Sequence, residues 1–121
     1  MGDLSEHFDR KTFECQDGCG KNNIDSKLIE KLERMVSVLG RVPRISSGCR
    51  CVLHSVAVGG GTDDAHVHNK AVDIPVANSL ERYAVVSAAV VAGFVRIGDE
   101  DTHVHVDVDS SKVQNVMWRK P

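Results

Sequence analysis

The apolar positions of the chain change their period several times, and each change marks an element. In "DSKLIEKLERMVSVLG" (25–40), Leu28, Leu32, Met35, Val36 and Leu39 recur at helical spacing. Asp25 or Ser26 can cap the start of this helix, and Gly40 stands where it stops. Such a stripe is a core face. "VPRISSG" (42–48) reads as a short strand running into a turn, and "CRCVLHSVAV" (49–58) as a short helix or helical turn. "KAVDIPV" (70–76) reads as a strand. Ser79 then caps "LERYAVVSAAVVA", a buried helix ending at Gly93. Its β-branched residues favour a strand, but its length and cap favour a helix. "GFVRIG" (93–98) and "HVHVDVD" (103–109) read as strands joined by the acidic turn "DEDT". The first 24 residues form a polar lead rich in turn formers, and "GGGTDD" (59–64) a flexible loop. No G-K-[ST] follows that loop, so it is not a phosphate cradle.

Helices and strands are mixed without a βαβ rhythm. This predicts an α+β fold: a small, mainly antiparallel sheet with helices packed on one side. The 121 residues suffice for one domain, 1–121. A composition 41% hydrophobic and 26% charged is that of an ordinary globular chain. The net charge of −2 argues against a general nucleic-acid or membrane binder, which would carry a basic face. The longest apolar run is too short to span a bilayer, and the polar N-terminus is not a secretory signal. The expectation is a monomer made in the cytoplasm, reaching any target outside by another route.

Two short runs hold most of the histidines. In "HVHVDV", alternation on a strand puts His103, His105 and Asp107 on one face and Val104, Val106 and Val108 on the other. In "AVDIP", Asp73 interrupts an apolar strand, where a carboxylate must be paired, hydrogen-bonded or metal-bound. "AHVHNKAVDI" adds His66 and His68, and spacing alone does not choose between them. His and Asp from two segments suit a catalytic zinc, which takes three such ligands and leaves a position for water. The four cysteines, Cys15, Cys19, Cys49 and Cys51, do not have the spacing of a zinc ribbon. Free thiols are the plain expectation; a disulfide or a second structural metal is the alternative.

The ordered series "SEHFDRKTFECQDGCG", "IDSKLIEKLERM", "ISSGCRC…VGGG…H-x6-D-I" and "HVDV" resembles the zinc D-Ala-D-Ala carboxypeptidase-like peptidases, in particular their phage- and prophage-associated branch. Their metal-site fold is shared with the Hedgehog signalling domain. The resemblance implies one catalytic Zn2+ held by His66, Asp73 and His105, with Arg50 gripping a substrate carboxylate. It places His103 at the activated water or the oxyanion. His68 becomes a solvent-facing bystander, and Asp107 a support that orients a ligand or Arg50. The implied substrate is the peptidoglycan stem peptide, cut beside a D-amino acid by a carboxypeptidase or endopeptidase. Three departures stand out. Asn69 replaces a glycine, Asp64 a serine, and Thr102 a catalytic glutamate. Asp99, Glu100 and Asp101 can supply the missing acid, and Asp99 is the favoured one. The alternative is a non-catalytic, zinc-containing module that binds the cell wall or builds a phage particle.

Overall fold

The computed structural model describes residues 2–120. The polar lead contains a 3-10 turn at Arg10–Phe13. Helix α1 (Ser26–Leu39) starts at Asp25, whose side chain accepts from the backbone N–H groups of Lys27 and Leu28, and stops at Gly40 with φ 74°. Leu28, Leu32 and Met35 are fully buried, as their spacing predicts. Helix α2 (Val52–Ala57) is short. Helix α3 (Ser79–Ala92) is capped by Asn78, one residue before the expected Ser79, because the Asn78 side chain accepts from the Glu81 N–H.

Among the described residues, four strands form one sheet: β1 (Ala71–Pro75), β2 (Arg96–Glu100), β3 (His103–Asp107) and β4 (Val116–Lys120), in the order β1-β3-β2-β4. The pairs β1–β3 and β2–β3 are antiparallel, and β2–β4 is parallel. The fold is therefore α+β as expected, but the sheet is mixed because of β4, a strand the apolar pattern does not announce. β4 is an edge strand with mostly exposed residues, so it carries no run of core side chains. Residues 42–48 also depart from expectation. Ser47 makes an isolated bridge to the sheet, opposite Asp73, and the rest of this segment is irregular.

One face of the sheet closes the core. Val72 and Ile74 from β1, Val104 and Val106 from β3, and Ile97 from β2 pack with Leu28, Leu32 and Met35 of α1 and Val85, Ala88 and Ala89 of α3. By alternation, Asp73, His105 and His103 occupy the opposite face. The register sets Asp73 directly across from His105 and Pro75 across from His103. His105 is in turn opposite Gly98, and Gly98 opposite Trp118. A Cβ on Gly98 would lie 2.6 Å from the Trp118 ring, so only glycine allows the indole to cross there. The indole then packs on His105 at 5.2 Å between ring centroids. One row across the sheet thus runs from a carboxylate through an imidazole to an aromatic wall.

Candidate metal centre

Asp73 is the hub of this face. Its Oδ1 lies 3.2 Å from His66 Nε2, 3.4 Å from His105 Nδ1 and 3.6 Å from His103 Nε2. His66, Asp73 and His105 are all buried, and their ligand atoms lie within 4.8 Å of one another. His66 comes from the loop that leads into β1. Its backbone N–H donates to Asp64 Oδ1 at 2.8 Å, so the aspartate that replaces the serine tightens this turn. Asn69, at the end of the loop, has φ 64°. This left-handed conformation is one that asparagine tolerates and most side chains do not.

The outer nitrogens of both buried histidines are already engaged. His66 Nδ1 lies 2.7 Å from the Gly48 carbonyl, and His105 Nε2 lies 2.7 Å from Asp107 Oδ2. Those partners accept only, so each outer nitrogen carries a proton and donates. The inner nitrogens, His66 Nε2 and His105 Nδ1, face the Asp73 carboxylate. In the neutral imidazoles they carry lone pairs. In that form three acceptors converge in a buried pocket, and either a further proton on an imidazole, which then donates to Asp73, or a metal ion between the three relieves their repulsion. Donors bound about 2.1 Å from a tetrahedral zinc stand about 3.4 Å apart, which matches the two ligand-to-Asp73 spacings. Two imidazoles and a carboxylate are also a common catalytic zinc set. The residues fit the metal.

The electrostatics agree. Burial pushes the Asp73 carboxyl up, but hydrogen bonds and charge from His105 and His66 outweigh it and hold the group well below the usual carboxylate range. Burial lowers His105, while the Asp107 and Asp73 carboxylates push it up to about 9. The pocket thus favours an added positive charge, whether a second proton on an imidazole or a metal ion. Asp107 contacts His105 Nε2 through Oδ2, and its other oxygen accepts from Arg96 Nε at 2.7 Å rather than from Arg50.

A cavity of about 150 Å³ opens onto these groups. Arg50, Val58, Gly60, Glu100, His103 and Lys120 contribute to its walls. Arg50 lines the cavity, and part of its guanidinium is committed. Its Nη2 donates to Asp73 Oδ2 at 3.2 Å and its Nε to Ser47 Oγ at 3.2 Å. His103 is half-buried on the cavity wall, its Nδ1 3.1 Å from Thr102 Oγ1 and its Nε2 3.4 Å from Glu100 Oε1.

Two expected placements differ. Asp99 does not reach the cavity. It alternates to the core side of β2, where Arg82 Nη1 lies 2.5 Å from its Oδ1 and Arg119 Nη1 3.1 Å from its Oδ2. The acid that reaches His103 is Glu100, one residue on and therefore on the other face. Strand parity finds it only once β2 is known to run into the acidic turn. His68 does not face solvent freely. Its two ring nitrogens bridge Asp109 and Asp63, each at 2.7 Å, and it takes no part in the cavity wall.

The family model described as Peptidase M15 matches residues 5–107 of the chain. The matched segment contains His66, Asp73, His103, His105, Arg50 and Glu100. No curated protein matches the chain at a significant level.

Proposed function

The chain belongs to the peptidase M15 family, and from that premise we propose that it is a zinc-dependent peptidase of bacterial cell-wall stem peptides, cutting beside a D-amino acid. The observation that carries the metallopeptidase reading is the convergence of two imidazoles and a carboxylate at one end of an open cavity. The choice of cell-wall peptide rests on the ordered motifs that resemble the D-Ala-D-Ala carboxypeptidase-like branch.

His66 Nε2, Asp73 and His105 Nδ1 would hold the zinc. When bound, the metal lowers the pKa of water toward neutrality and polarises the scissile carbonyl. The chain's own groups do the rest. Glu100 Oε1, on the cavity wall, takes a proton from the attacking water and delivers it to the leaving amine. His103 Nε2 faces both Glu100 and the Asp73 carboxylate, where it donates to the oxygen that becomes negative in the transition state. Arg50 and Lys120 line the same cavity and suit the substrate's carboxylate. Only a guanidinium offers that group a planar fork, and Arg50 Nη1 makes no hydrogen bond among the described residues. Lys120 adds a movable point charge.

The test is digestion of purified muropeptides with zinc-loaded protein, read by mass spectrometry. Loss of one terminal D-Ala marks a carboxypeptidase, and a cut cross-bridge an endopeptidase. No product from folded, zinc-loaded protein across several wall chemistries would refute the reading and leave a binding module.

A further inference from the structure

A second group of metal-ligating side chains comes together from two separate segments. Cys15 and Cys19 lie in the polar lead and Cys51 directly follows Arg50, yet their sulfurs and an Asp17 oxygen all lie within 4.8 Å of one another. We propose that Cys15, Cys19 and Cys51, with the Asp17 carboxylate, form a structural zinc site.

The geometry has three parts. Asp17 sits among the thiols, with Cys15 Sγ donating to its Oδ1 at 3.1 Å and Cys51 Sγ to its Oδ2 at 2.9 Å. Backbone N–H groups already point at two of the sulfurs: Cys51 N–H at Cys15 Sγ and His54 N–H at Cys51 Sγ, each at 3.4 Å. Such donors stabilise the thiolate form that a metal requires. The loop itself is bent to bring Cys19 back, with Gly18 at φ 82° and Gly20 at φ 86°.

Asp17 places a negative charge among the sulfurs, within hydrogen-bond reach of Cys15 and Cys51, and a divalent ion attracted by that carboxylate would replace the thiol protons.

The number of thiols favours a metal over a disulfide, because three facing sulfurs cannot all pair. Cys49, the fourth cysteine, is buried and stands outside the cluster. Three soft sulfurs and one oxygen suit tetrahedral Zn2+. Binding releases three thiol protons to solvent, and no electrons move. The metal would tie the irregular lead to the segment that carries Arg50, across a sequence separation of 36 residues between Cys15 and Cys51.

The test loads the whole chain, purified under reductant, with Co2+ and records its absorption spectrum. His66, Asp73 and His105 contain no sulfur, so a near-ultraviolet thiolate-to-cobalt band reports the cysteine cluster alone. The expected results are that band in the unmutated protein and a clearly weaker one in Cys19→Ser, which alters an exposed side chain. Elemental analysis after equilibration with zinc is expected to find one ion fewer per chain in Cys19→Ser. Absence of the band in the unmutated protein overturns the proposal. So does a Cys19→Ser variant with the full band and the full zinc content. Neither result bears on the peptidase reading, which stands or falls on muropeptide digestion.

Discussion

Asp107 Oδ2 lies 2.7 Å from His105 Nε2, and this contact decides which nitrogen of His105 faces Asp73. The other Asp107 oxygen accepts from Arg96 Nε at 2.7 Å, so the carboxylate is held from both sides. Asp107→Asn keeps the shape but removes the charge. We expect zinc affinity to fall about 10- to 100-fold, measured by competition with a chromophoric chelator. Unchanged affinity would remove Asp107 from the support of the site.

Glu100 and Asp99 are adjacent but face opposite sides of β2. Glu100→Gln is expected to lower kcat about 10²- to 10⁴-fold while zinc content stays unchanged. Asp99→Asn is expected to leave kcat within a few-fold, because its partners are Arg82 and Arg119. The reverse ranking in a muropeptide assay would return the acid role to Asp99.

Gly98→Ala sets a methyl group 2.6 Å from the Trp118 ring. The indole must move off His105, and overpacking of this kind costs about 1–3 kcal/mol. The check is a lower denaturant midpoint with the m-value unchanged.

Asn69 has φ 64°, and its buried Oδ1 has no hydrogen-bond partner among the described residues. Asn69→Gly is expected to be more stable than Asn69→Ala by about 1 kcal/mol, since alanine is strained in the left-handed region. Equal denaturation midpoints for the two variants would contradict this.

Burial raises the Glu33 carboxyl, but hydrogen bonds from Ser5 and His7 outweigh it and hold the group below its ordinary value of 4.5. A depressed carboxylate contributes stability that is present above that value and is lost as pH falls through the folded-state pKa. Glu33→Gln is therefore expected to flatten the acid limb of the stability curve below about pH 4.5. An acid limb identical to that of the unmutated protein would exclude the effect.

Much of the fold is legible in the sequence. The stripe Leu28, Leu32, Met35 has helical period and is fully buried. The alternation of His103, His105 and Asp107 against Val104 and Val106 separates site face from core face. Local periodicity suffices there because one residue's neighbours on the same face of an element share its environment. The edge strand β4 is not legible, since it buries too little to leave a pattern.

The sequence by itself determined which residue types could form a metal centre and which strand faces they would occupy. The tertiary structure decided their pairing. Only the register of β1 against β3 sets Asp73 across from His105, and only the extent of β2 turns Glu100 toward His103 and Asp99 toward Arg82. The reason is physical: hydrogen-bond register and strand length are settled between segments distant in the chain, and a single-residue shift exchanges the two faces of a strand.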